Sequence, residues 1–279
     1  MEIAPETPLM RMMMSSSRQF TKPETTTGLR VEDVAPHLTS IHDRVDKVSA
    51  KIGDFIGLHS GFVAWSGGQD STAVVDLVRR VSPGFPICWY DSGLEFPENR
   101  KYIENLATDW NLNLHVYKAS PTALEILQET GLWNHVDEIY PQDPQLMHDV
   151  LITSPSNLAH KSFGMGEISG LRADESVGRR MLLSRADGKY HRKNGEQVYA
   201  PIWDWSDNAL QAYFAYRQIP TNPVYEKLEL LGASKEAQRV GLVVDGNNPD
   251  YGRYTYLRLG WPVLWQELKN ALPRLNEWK

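Results

Sequence analysis

Up to about residue 30 the chain carries the runs MMM, SSS and TTT without an apolar period, and residues 1–30 are expected to form a mobile arm. From Val31 the pattern changes. Leu38, Ile41, Val45, Val48, Ile52 and Phe55 recur at alternating spacings of three and four, which places them on one face of an amphipathic helix over residues 31–58. The stripe is shorter than the several heptads that mark a coiled coil, so packing onto its own domain is favoured. A homodimer or a modification-complex partner seated on that face stays as the alternative.

Beyond Gly61 short apolar runs alternate with helical periods. Residues 62–65 (FVAW), 85–90 (FPICWY), 112–117 (LNLHVY) and 165–171 (MGEISGL) read as strands. Between them, Val74, Leu77, Val78 and Val81 stripe one helix, and Ile103, Leu106, Ala107 and Trp110 stripe a second that Pro97 opens. Pro121 opens a short helix, and another runs through Met181, Leu182 and Leu183. Strands alternating with helices predict an α/β fold, a parallel sheet with helices on both faces. The stretch HRKNGEQ at 191–197 reads as a solvated hairpin in preference to a flap over a polyanion. Ser206 is placed to cap a helix carrying Leu210, Tyr213 and Phe214, and a last amphipathic helix starts near Pro262. The expected organisation is an α/β domain over 59–205, with residues 206–279 forming a helical region packed on it.

Composition narrows the field. With 41% hydrophobic and 23% charged residues, the 279-residue chain is globular in character. A net charge of −6 offers no global attraction to nucleic acid or anionic membrane. Its single cysteine, Cys88, excludes an intrachain disulfide and a cysteine-built iron–sulfur cluster or zinc site. No apolar run approaches a membrane span and the N-terminal stretch has no apolar h-region, so a cytoplasmic protein is expected. His135, His148 and His160 are widely spaced, and solvent or core positions are expected for them rather than zinc ligation.

The junction SGGQDST at 66–72 carries the chemistry. It sits at the carboxyl end of the first strand, where parallel α/β sheets bind ligands. Gly67 and Gly68 let backbone N–H groups approach an anion, and the next helix points its positive end there. Ser66, Ser71 and Thr72 add hydroxyls. Asp70 would repel phosphate unless a cation intervenes, so Mg²⁺ at Asp70 is expected. Asp91, Ser92 and Gly93, with Glu95 just beyond, end the second strand beside that loop, although Asp91 and Glu95 could instead cap the helix at Pro97. Arg172, Arg179 and Arg180 follow the fourth strand and suit phosphate or sulfate oxygens, or ion pairs with Asp174 or Glu175. Trp203, Asp204 and Trp205 read as a packing corner.

SGGQDS resembles the SGGxDS signature of the PP-loop adenine nucleotide alpha hydrolase superfamily; five fixed residues recur by chance in about one window per million. WYDSGLEFPENRKYI, SGLRADESVGRR and APIWDWSDNALQAYFAYRQIPTNPVYEKLELLG then resemble, in order, segments of the phosphoadenosine phosphosulfate (PAPS) reductases and their relatives. The resemblance covers roughly residues 60–232. It implies a nucleotide site, ATP or PAPS, built from Ser66, Gly67, Gly68, Gln69, Asp70, Ser71, Thr72, Asp91, Ser92, Gly93, Glu95, Gly170, Arg172 and Arg180. Asp70, Arg172 and Arg179 are the expected catalytic groups.

PAPS reductases attack sulfur with a cysteine near the C-terminus, in E-C-G-x-H, and this chain has no cysteine after Cys88. A cysteine in a buried apolar strand is a poor nucleophile. The resemblance therefore points away from the family's own thiol chemistry. It points toward its ATP pyrophosphatase relatives, which form AMP and pyrophosphate while activating an acceptor in sulfur transfer or nucleic-acid modification. A reductase using an external thiol and a non-catalytic nucleotide-binding subunit remain as alternatives.

Overall fold

A computed structural model of the protein describes residues 31–130, 144–241 and 253–277. The arm expected over 1–30, and His135, lie outside them.

The stripe that begins the pattern forms α1 (Val31–Leu58). Ile41, Val45, Val48, Ile52 and Phe55 are all buried in the main core, and Leu38, at the head of the stripe, is 38% exposed. The apolar face is thus covered by the protein's own α2 (Gln69–Val81) and α8 (Asp207–Arg217), the first of the two expected alternatives. Burying five such side chains at about 1.5–3 kcal/mol each makes α1 part of the fold rather than an appendage.

Four parallel strands follow the expected order with shifted ends: β1 (Gly61–Ala64), β2 (Ile87–Asp91), β3 (Leu114–Lys118) and β4 (Gly166–Ile168). The stretch 189–199 does more than form a hairpin. Its arms β5 (Lys189–His191) and β6 (Gln197–Tyr199) join the sheet, giving the order β3-β2-β1-β4-β6-β5. β6 pairs parallel to β4 and β5 antiparallel to β6, so the sheet is mixed at one edge rather than wholly parallel. The strand order reverses direction between β1 and β4, and the crevice at that switch is where such sheets place a ligand.

Strand alternation divides the core. Val63, Trp65, Ile87, Trp89 and Ile168 face α1, α2, α3 (Pro97–Asp109) and α8. Phe62, Cys88 and Tyr90 face the other way, toward α6 (Ser154–Phe163), which continues a five-residue π-helical turn, Asp149–Thr153. A second apolar cluster joins α4 (Ala123–Thr130) to α9 (Pro223–Leu230), α10 (Arg253–Gly260) and α11 (Pro262–Ala271). Among the described residues the remaining α-helices are α5 (Pro144–His148) and α7 (Val177–Ser184). Among the described residues no helix is long and apolar enough to cross a membrane.

Candidate functional site

The turn after β1 places its backbone as the glycines predict. Gly67 has φ +78°, and a Cβ there would lie 2.2 Å from Asn99 Oδ1. No other residue fits without moving that amide. Gly68 caps α2 and brings no side chain of its own over the helix end. Ser66 and Ser71 close the turn: their hydroxyls lie 3.1 Å apart, the Ser66 N–H donates to Ser71 Oγ and Ser71 Oγ–H to the Gly68 carbonyl. From the other strand of the crevice Gly170 presses in. A Cβ on it would come within 2.6 Å of the Ser71 nitrogen.

What holds the loop's outer shape is a set of neutral amides absent from the sequence reading. Asn222, which caps α9 by accepting from the Val224 N–H, donates through Nδ2 to the Gly67 carbonyl at 3.0 Å and to Asn99 Oδ1 at 2.7 Å. Asn99 Nδ2 donates to the Ser66 carbonyl at 3.3 Å and to Glu95 Oε2 at 3.1 Å. Both asparagines are buried. With two successive carbonyls occupied on one side, the peptide N–H groups are turned to the other, and among the described residues nothing accepts from the Gly67 N–H. The Gln69 N–H reaches the Tyr225 hydroxyl at 3.3 Å, and Gln69 Oε1 accepts from Gln211. Burial pushes the Tyr225 phenol up to about 12, so it meets the loop as a neutral hydroxyl. These three residues carried a signal in the sequence: Asn99 follows FPE directly, and Asn222 and Tyr225 lie in NPVY.

The second-strand residues converge on the same place. Asp91 Oδ1 accepts from the Gly93 N–H and from Arg100 Nη2 at 2.9 Å, and Ser92 Oγ–H donates to Glu95 Oε1 at 2.7 Å. Neither Asp91 nor Glu95 caps α3, whose N-cap is Phe96 with no side-chain bond. Burial lifts the Glu95 carboxyl above the ordinary glutamate range, against the pull of Ser92 and Asn99.

Three expectations need correction. The cation beside Asp70 is Arg172: its Nε lies 2.7 Å from Asp70 Oδ1, Nη1 donates to the Trp205 carbonyl at 3.0 Å, and Nη2 reaches Asp207 Oδ1 at 2.7 Å. Lys235 pairs with the other oxygen of Asp207. A guanidinium so engaged steadies Asp70 and does not present a fork to phosphate. Thr72 turns into the core, where its hydroxyl accepts from Trp65 Nε1 at 3.0 Å, because it faces the sheet from the first turn of α2. Arg180 is exposed and pairs with Asp174 at 3.2 Å, the ion-pair alternative. Arg179, in the first turn of α7, donates its N–H to Ser176 Oγ. Trp205 packs as expected, buried at 5.3 Å from the Tyr213 ring.

Cys88 is wholly buried, and burial, with Glu167 nearby, pushes its thiol up to about 12. It cannot act as an internal nucleophile near neutral pH.

The fold recurs among solved structures. A phosphate complex of PAPS reductase from Candida auris superposes with a TM-score of 0.50 at 16% identity, covering 71% of this chain and 93% of that one, which speaks to the fold alone. The phosphoadenosine 5′-phosphosulfate reductases of Photobacterium profundum and Alteromonas mediterranea are each 28% identical, over 190 and 200 residues. Those alignments cover 67% and 68% of this chain, and 70% and 75% of the two relatives. The family profile described as the phosphoadenosine phosphosulfate reductase domain matches residues 60–260, a span that takes in the glycine turn, the Asp91–Glu95 corner, Arg172 and both loop-bracing asparagines. By that match the chain belongs to the PAPS reductase family.

Proposed function

We propose that the protein binds an adenine nucleotide at the Ser66–Ser71 loop and cleaves ATP between its α- and β-phosphates, transferring the adenylyl group to an acceptor. The observation that carries this reading is the turned-out backbone at β1. The Ser66 and Gly67 carbonyls are held by Asn99 and Asn222, which turns the Gly67 N–H away from them, beside the N-terminus of α2. Ser66, Gly67, Gly68 and Ser71 hold the β- and γ-phosphate oxygens. An acceptor oxygen attacks the α-phosphorus, the bond to the bridging oxygen breaks, and pyrophosphate leaves with the electron pair. Donors fixed before the reaction stabilise that departing charge without reorganising.

Where Mg²⁺ accompanies the nucleotide, Asp70 is the carboxylate that would hold it, with phosphate oxygens and water completing the shell; the ion would offset charge on the pyrophosphate. One carboxylate fits such a role, and Arg172 keeps it in place. Incubation with α-labelled ATP tests the reading: labelled AMP is expected, with Ser66→Ala abolishing it. Formation of ADP alone, or no turnover across a panel of acceptors, would count against it.

Family membership favours a second reading, reduction of PAPS to sulfite and adenosine 3′,5′-bisphosphate by an external dithiol carrier that is itself oxidised to the disulfide. Sulfite release with thioredoxin present, undiminished by Cys88→Ser, would support it. Tight nucleotide binding with neither product would mark a binding subunit.

A further inference from the structure

On the sheet face away from α1, at the edge where the hairpin joins, three side chains from three elements meet: His160 of α6, Glu167 of β4 and Glu196 beside β6. All three are buried, and one ligand atom from each lies within 4.8 Å of the others. His160 Nδ1 is 2.9 Å from the Gly164 carbonyl. A carbonyl only accepts, so Nδ1 carries the hydrogen and Nε2 is the atom turned to the carboxylates. It lies 3.4 Å from Glu167 Oε2 and 3.4 Å from Glu196 Oε2, and makes no hydrogen bond.

A lone pair cannot rest against two carboxylate oxygens in a buried site, so Nε2 either carries a proton or faces a bound cation. Arg192 does not fill that role. Its Nη1 and Nη2 take Glu167 Oε2 and Oε1 at 2.6 and 2.9 Å, and Nη1 takes Glu196 Oε2 at 2.7 Å. Two carboxylates against one guanidinium leave one negative charge facing Nε2. A proton on Nε2 would draw a carboxylate to about 2.7–2.9 Å, the span of a charge-assisted hydrogen bond. Two donors about 2.0–2.1 Å from a tetrahedral ion stand about 3.3–3.4 Å apart, which matches both separations. Each carboxylate oxygen has a second lone pair, so accepting from Arg192 does not prevent ligation. The Nδ1–H bond to a backbone carbonyl is the support that metal-bound histidines use to fix their ring.

We propose that His160 Nε2, Glu167 Oε2 and Glu196 Oε2 bind a divalent transition ion of the zinc class, which staples the β5–β6 hairpin and β4 to α6. With three protein ligands the fourth position goes to water. This reverses the expectation drawn from histidine spacing. That expectation looked for ligands close in sequence, whereas these lie on a helix, a strand and a hairpin.

The test uses the full chain stripped with chelator and kept free of nucleotide, titrated with Co²⁺ and then Zn²⁺. One Co²⁺ per chain with the visible bands of a tetrahedral N/O site, displaced by Zn²⁺, is expected. Binding should weaken at least about 100-fold in His160→Ala, more than loss of a supporting shell residue costs. It should persist in Cys88→Ser and in Ser66→Ala, which separates this site from a thiolate site and from the nucleotide loop. Should His160→Ala fail to fold, Glu196→Gln serves as the second variant, and stoichiometry on the wild type needs neither. Absence of stoichiometric binding, or binding that survives both variants, overturns the proposal. So does a melting midpoint indifferent to Zn²⁺ that falls as pH rises, which would mean that a proton on His160 closes the cluster.

Discussion

The mouth of β1 and the hairpin edge solve the same problem, burying polar groups, with opposite chemistry. At the mouth the fixing groups are neutral: Asn99 and Asn222 hold carbonyls and Tyr225 meets an amide. At the edge the groups are ionised and consume one another, with Arg192 shared between Glu167 and Glu196 and every carboxylate oxygen taken by Arg192 or Asn194. Neutral braces shape a loop without cancelling its attraction for an anion. Charged braces bind a sheet edge together but leave nothing for an anion to find. Arg172 marks the boundary between the two, an ionic brace placed at the rim of the neutral site.

The contrast can be broken by substitution. The largest effect is expected from Glu167→Gln, which strips Arg192 of its bidentate partner in a buried setting; loss of about 3–5 kcal/mol in urea unfolding is the expected outcome. A loss under about 1 kcal/mol would mean that solvent already screens the cluster. Next comes Asn222→Ala. It frees the Gly67 carbonyl and should cost about 1–3 kcal/mol of stability, and titration calorimetry with ATP should show at least about tenfold weaker binding. If stability falls and affinity does not, the asparagine braces the fold and not the loop. Thr72→Val should cost about 1 kcal/mol through the lost Trp65 bond and leave nucleotide affinity unchanged, since its hydroxyl faces the core.

The smallest shift is expected from making the Glu167 change at Glu95. The carboxyl of Glu95 titrates above its unfolded value because burial disfavours its charge, so the stability it contributes is present below the unfolded glutamate pKa and is lost as pH rises through the folded one. Glu95→Gln should therefore flatten that decline and leave the melting midpoint at neutral pH unchanged or slightly raised. A large drop would show the mouth to be as ionic as the edge.

How much of this could be read from the sequence follows the range of each interaction. The glycine turn was legible because its demands are local: bare amides need glycine at 67 and 68, and a strand and helix flank them. The four parallel strands were legible as apolar runs, with ends displaced by one to three residues. The hairpin at 191–197 was legible, but its joining the sheet as β5 and β6 was not, since three-residue strands carry no period. Asn99 and Asn222 act on carbonyls 33 and 155 positions away, and a spacing rule cannot see that far. The Asp70–Arg172 pair was missed for a related reason: both residues were singled out, but their chemistry was assigned to ligands before it was tried on each other. In His160, Glu167 and Glu196 the same blindness hid a whole cluster.

The packing of α1 on α8 has an outcome for the life of the chain before it is finished. The helix that opens the described fold closes against one made much later as well as against α2, so during synthesis part of the Ile41, Val45, Val48, Ile52 and Phe55 stripe waits uncovered until Arg217 has left the ribosome. Release of a chain stopped at residue 205 would therefore yield a sticky fragment that chaperones must hold, however complete its glycine turn.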